Sequence, residues 1–200
     1  MFPHVKPHVA IATLLILAVG WLAVRPQLWT VARPGEAPRP LALIAGVTRT
    51  PVAFAVTLPA VPVGSQRLTS GRGALLIHYW APWQRDSREQ AAGLDSLRRL
   101  PELEGLHTVV VCFDPFPSVA RFVARQRLRL SVLSDGRGEL RRVLPCPSIP
   151  YTYVLDAAGR VAVAQAGDVD WWAPGTRATL TALLATLPIS FRRQGQRDSI

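Results

Sequence analysis

Five side chains in the regular part of this 200-residue chain could support covalent or metal chemistry: Cys112, Cys146, His78, His107 and Ser87. A cysteine does redox work only as a thiolate, which forms most readily at a helix N-terminus or beside a cation. Cys112 lies in the apolar run TVVVCF (108–113), where a free cysteine serves as a small hydrophobe. Cys146 sits among prolines in LPCPSIP (144–150) and has two readings. It is a packed loop residue, or a lone thiol able to form a mixed disulfide with a partner. No metal or other cofactor is expected, because neither histidine has a cysteine or carboxylate at ligand spacing. Ser87 lacks the G-x-S-x-G surroundings of a nucleophilic serine. Asp86, Glu89 and Asp95 need no catalytic role, since acids early in a helix suit its dipole.

The elements that would hold these residues follow from periodicity. Phe54, Val56 and Leu58 alternate as in a strand, and residues 64–73 read as turn, with Gly64, Gly71 and Gly73 around Leu68. Residues 74–80 form an apolar strand, and 108–113 a second one covered on both faces. Ala91, Ala92, Leu94, Leu97 and Leu100 make a helical stripe over 87–100, and Val119, Phe122 and Val123 another over 119–127. A short extended piece follows at 130–133 and a short helix at 139–144. Residues 151–155 and 161–164 pair as a hairpin across Asp156-Ala157-Ala158-Gly159, whose composition suits a turn. A closing helix spans 175–187. Strands alternating with helices, then a hairpin and a helix, predict an α/β fold: a mixed central sheet with helices on both faces.

The strand at 74–80 runs into Trp80-Ala81-Pro82-Trp83, and a helix begins directly after it. This resembles the active-site entry of membrane-anchored thioredoxin-like proteins of the TlpA/ResA type, where W-A-x-W-C-x-x-C opens a helix. The resemblance covers roughly residues 51–187. Phe54-Ala55-Val56-Thr57-Leu58-Pro59 and Gly64 resemble the opening of that domain, and Val111-Cys112-Phe113-Asp114 its third strand. Ser148-Ile149-Pro150-Tyr151-Thr152-Tyr153-Val154-Leu155-Asp156-Ala157-Ala158-Gly159 resembles its cis-proline motif, and Gly167 and Trp171 the residues before its last helix. The resemblance implies a thioredoxin fold with a cis bond between Ile149 and Pro150. It also implies that the strand leading to the active site separates Cys112 from Cys146, so no disulfide between them is expected.

The departures from that pattern bear on function. Gln84 and Ser87 stand where the family has its two cysteines, and neither can attack or resolve a disulfide. His78 takes the place of a buried acid or amide, and is read as a hydrogen-bonded core side chain. Tyr151 replaces a smaller residue after the cis-proline and would partly fill the groove where a substrate peptide lies. Two functions are therefore expected as alternatives. One is a redox-inactive module binding an exported or membrane protein through Trp80, Trp83, Ile149, Pro150 and Tyr151. The other is a thiol–disulfide oxidoreductase that keeps some activity through Cys146.

Composition bounds the rest. Apolar residues make up 49% of the chain, enough to fill one sizeable core. The net charge of +10 comes from scattered arginines, with Lys6 the only lysine, and no nucleic-acid motif accompanies them, so no nucleic-acid partner is expected. Residues 9–24 carry no charge and are flanked by Lys6 and Arg25. They fall a little short of the ~20 residues of a spanning helix, and Pro26 to Trp29 can extend them into the interface. The residues behind them make a poor cleavage site, so 9–25 is expected to be an uncleaved transmembrane anchor after an N-terminal flank (1–8). Residues 26–50 read as a linker, 51–188 as the thioredoxin-like domain, and 189–200 as a disordered tail. The local positives weakly favour keeping the domain inside, whereas the family resemblance implies the inner membrane with the domain on the periplasmic side.

Overall fold

Strand β4 (Leu75–Tyr79) is buried at every position, as its continuous apolar run requires of a strand covered on both faces. It pairs parallel with β5 (His107–Cys112) and antiparallel with β8 (Tyr151–Leu155). The other strands of the main sheet are β2 (Ala55–Val61), β3 (Ser65–Thr69), β6 (Ser131–Ser134) and β9 (Val161–Ala166), with the order β3-β2-β6-β5-β4-β8-β9. Helix α1 (Arg85–Leu97) joins β4 to β5, α2 (Phe116–Gln126) joins β5 to β6, and α3 (Pro174–Ala185) follows β9. The computed structural model describes residues 30–31, 36–114, 116–126 and 128–185. The expected anchor at 9–25 and the tail at 189–200 lie outside the described residues. No helix among the described residues is long and apolar enough to cross a membrane.

The period-2 alternation of the strands splits the core in two. Leu76, Trp80, Val110, Cys112, Val132 and Val154 face one side, with Ala91 and Leu94 of α1, Val119 of α2 and Leu180 of α3. Leu75, Ile77, Tyr79, Val109, Val111 and Leu155 face the other, with Leu140, Leu144 and Cys146. All three α-helices among the described residues thus share one face, where helices were expected on both. Successive right-handed crossovers that advance the same way along a sheet put their helices on the same side. The opposite face is closed by β2, β3 and non-helical chain. Residues 139–144, expected to be helical, form turns instead, with Asp135 Oδ1 and Oδ2 accepting from the amides of Leu140 and Arg141 at 3.3 and 2.9 Å. Residues 65–69 are a strand and not a turn, because Leu68, wholly buried, pairs opposite Val56 on β2.

Close packing explains a glycine inside α1. A Cβ at Gly93 would stand 2.9 Å from Cδ1 of Trp171, so only a bare Cα lets the helix lie against that indole. Gln90 on the same helix accepts from the Val169 amide at 2.9 Å and fixes the chain that carries Trp171.

The described part of the expected linker is docked rather than free. The Ile44 amide donates to Ala162 at 2.8 Å, the Val161 amide to Thr50 at 2.9 Å, and the Leu41 amide to Thr176 Oγ1 at 3.1 Å. Leu41 is buried in the helical half of the core. The first two bonds satisfy groups along the exposed edge of β9, which would otherwise be open to pairing with another chain, and the third ties the segment to α3. Asp156 anchors the same region: it accepts from Arg49 Nη1 at 3.2 Å, from Arg160 Nε at 2.9 Å, and from the amides of Ala158 and Arg160. Burial disfavours its charge, but the bonds from Arg160 and Arg49 outweigh this and hold the carboxyl below the usual carboxylate range. Asp156→Ala leaves the largely buried Arg49 without its counter-charge and is expected to destabilise the fold by about 2–3 kcal/mol in urea unfolding. A loss under about 0.5 kcal/mol would show that Asp156 does not anchor this segment.

Candidate functional site

Beyond Tyr79, the last residue of β4, the chain turns through Trp80-Ala81-Pro82-Trp83 and enters α1 with Gln84 as the N-cap. The Gln84 side chain does not cap the helix backbone. Its Oε1 accepts instead from the hydroxyl of Ser87 at 3.1 Å, one turn on. Gln84 is half-buried and Ser87 fully buried. Two positions with the spacing of a dithiol thus meet at a helix N-terminus, joined by a hydrogen bond between an amide oxygen and a hydroxyl. Neither group has a nucleophilic sulfur.

The two tryptophans part company. Trp80 continues the parity of Leu76 and His78, so it points into the helical half of the core, wholly buried, with its ring 4.7 Å from that of Phe122. It contributes no surface, contrary to the expectation that it lines a binding face. Trp83 is exposed, and its indole N–H donates to the carboxylate of Asp114. Burial raises the Asp114 carboxyl above its ordinary value, and the bond from Trp83 opposes that rise.

Tyr79 pairs with Tyr151 at the end of the β4–β8 ladder. Pro150 therefore lies just past the same end of the sheet as Gln84. The bond between Ile149 and Pro150 is cis, as expected, and a second cis bond joins Val61 to Pro62. The Pro150 carbonyl accepts from the Gly167 amide at 3.0 Å. Tyr151 is half-buried, with its ring 4.9 Å from that of Tyr153. Ile149 is buried. Ser148 is 8% exposed, and its hydroxyl has no hydrogen-bond partner. The strand β7 (Ser148–Ile149) that leads into the cis-proline belongs to a separate two-stranded sheet, parallel to β1 (Thr30–Val31).

His78 is fully buried on the helical face. Its Nδ1 lies 3.0 Å from Thr152 Oγ1, and its ring meets that of Trp171 edge-on at 5.6 Å. Burial lowers its pKa from 6.5 to about 3, so the ring is neutral at physiological pH. It is a core side chain bonded to its neighbouring strand, as the sequence suggested.

Both cysteines are free and buried. Cys112 and Cys146 lie in opposite halves of the core with the sheet between them, which rules out a bond from one to the other. The Cys146 thiol donates to the Ser148 carbonyl at 3.0 Å, and burial pushes its pKa up to about 12. Cys112 is likewise raised to about 12 by burial. Neither is a thiolate near neutrality. Among the described residues, no three His, Cys, Asp or Glu side chains gather to hold a metal ion.

No family model and no curated protein matches the sequence. Solved structures do resemble the fold. A candidate thiol:disulfide interchange protein DsbE from Chlorobium tepidum superposes with a TM-score of 0.60 at 20% identity, covering 68% of this chain and 97% of its own. StoA from Bacillus subtilis gives 0.55 at 15% identity over 67% of this chain and 98% of that one. A thioredoxin domain of a thiol-disulfide oxidoreductase from Bacteroides vulgatus gives 0.56 at 13% identity, over 68% and 98%. At these identities the likeness establishes the thioredoxin fold and leaves chemistry to the residues themselves.

Proposed function

We propose that this chain is a redox-inactive thioredoxin-fold protein that binds an exported or membrane protein at its cis-proline edge. In this reading residues 9–25 anchor it in the inner membrane with the domain on the extracytoplasmic side. The observation that carries the proposal is the Ser87–Gln84 hydrogen bond, which fills the two positions a dithiol would need. Exchange requires an attacking thiolate and a resolving thiol next to it. The alternative, activity through Cys146, is opposed by that thiol's burial and its bond to Ser148. An extended peptide can still add to a cis-proline strand through backbone bonds, with no redox step.

The full chain in detergent micelles is expected to leave the reduction of insulin by dithiothreitol at its uncatalysed rate, and Cys146→Ser is expected to change nothing. Turnover by the unmodified chain that Cys146→Ser abolishes would replace this reading with the lone-thiol one. Alkaline phosphatase fused after residue 185 should be active in a bacterial host, since that enzyme matures only outside the cytoplasm. An inactive fusion would overturn the topology.

A further inference from the structure

The edge strand before the cis-proline already carries an occupant. Thr30 and Val31 pair in parallel with Ser148 and Ile149, residue against residue, and this pair stands apart from the seven-stranded sheet. We propose that Thr30–Val31 is a built-in competitor strand, which covers the Ser148–Ile149 edge until an extended segment of a partner protein displaces it. This rests on the binding reading given above and adds how that site is regulated.

Three observations support it. First, β7 is two residues long and its one strand neighbour among the described residues is β1, so the edge is open to strand addition once β1 leaves. Second, the Ser148 hydroxyl is buried without a hydrogen-bond partner while β1 is in place. A buried hydroxyl left unpaired is costly, and a partner segment that bonded it would gain an interaction the internal strand does not make. Third, the competitor is tethered. Arg39 is fixed to the chain beyond β9 by two backbone bonds, from its amide to Asp168 and from the Asp170 amide to its carbonyl, at 3.1 and 2.9 Å. Val31 is eight residue steps from that fixed point, a reach of at most about 28 Å. A strand held so close competes at an effective concentration on the order of millimolar. Only a segment binding the edge more tightly than Thr30–Val31 would displace it, which gives the edge a threshold against weak, unspecific peptides.

Two measurements on the full chain in nanodiscs test this. With Cys112→Ala and Cys146→Ser in place, Thr30→Cys with Ser148→Cys should form an intramolecular disulfide on mild oxidation. Thr30→Cys with Gln165→Cys should not. Failure of the first pair in a folded protein overturns the competitor strand and leaves the binding reading standing. The second measurement avoids new cysteines. A fluorescent peptide of residues 26–35 should bind the Thr30→Pro, Val31→Pro variant at least about tenfold more tightly than the unmodified chain, because proline removes the backbone donors that hold β1 in place. Equal affinities overturn the proposal. If both tests succeed but no exported protein can be photo-crosslinked from position 149 in the proline variant, the competitor strand stands and the binding reading fails.

Discussion

Gln84→Cys with Ser87→Cys is expected to create dithiol activity in this chain. The two positions are three residues apart at the N-terminus of α1, so they are neighbours on one face of the helix with Cβ atoms about 5–6 Å apart. The first sits at the N-cap of α1 and is half-buried, the second is wholly buried, which gives one accessible attacking thiol and one protected resolving thiol. Unpaired amides at a helix N-terminus favour a thiolate, and a drop in pKa from about 8.5 to about 7 lifts the thiolate fraction at pH 7 from about 3% to about 50%. Insulin reduction should therefore rise at least about tenfold above the unmodified chain. Thiol titration tells whether the new disulfide forms. If it forms and closes but insulin is not reduced, Tyr151 is the obstacle, and adding Tyr151→Thr should restore turnover. If the triple variant is also inactive, the helix terminus does not retain the geometry of a dithiol site.

The second large effect concerns acid stability and His78. Burial alone sets its folded pKa at about 3, against 6.5 when exposed. Its neighbours are the hydroxyl of Thr152 and the indole of Trp171, neither of them charged. Below pH 6.5 the unfolded chain takes up a proton that the folded chain refuses. The stabilisation is whole above pH 6.5 and declines as pH falls toward 3. Between pH 7 and pH 4 the loss amounts to about 3 kcal/mol. Urea unfolding followed by tryptophan fluorescence at the two pH values measures it, and His78→Gln should abolish most of the difference. His107 is the comparison: burial lowers its pKa too, but the residue is exposed to solvent beside Gln66, so His107→Gln should alter the pH dependence less than His78→Gln. If the two variants show the same dependence, proton uptake at His78 does not drive the acid response. The lowered carboxylates, Asp156 among them, add their own loss only nearer pH 4 and below, since their stabilisation is present above their unfolded pKa.

The sequence alone sets the parts that depend on local periodicity and on residue identity. The runs at 74–80 and 108–113 read as covered strands by their length and apolar content, and the Leu94, Leu97 stripe as a helix lying on them, because burial follows the period of each element. It also determined that positions 84 and 87 carry no sulfur, which no fold can supply. Whatever depends on a distant partner emerges only in the folded chain. Trp80 and Trp83 are alike in type and close in sequence, but the parity of β4 sends one into the core while the turn leaves the other in solvent. Residues 139–144 carry a helix-like pattern, but the Asp135 carboxylate takes up their amides and holds them as turns. Residues 39–50 carry Pro40 and Gly46, as a linker would, yet the open edge of β9 offers backbone groups that bind them down. The placement of Thr30–Val31 on the cis-proline strand is of the same kind. A two-residue strand has no periodicity to read, and its position depends on an edge more than a hundred residues away in the chain.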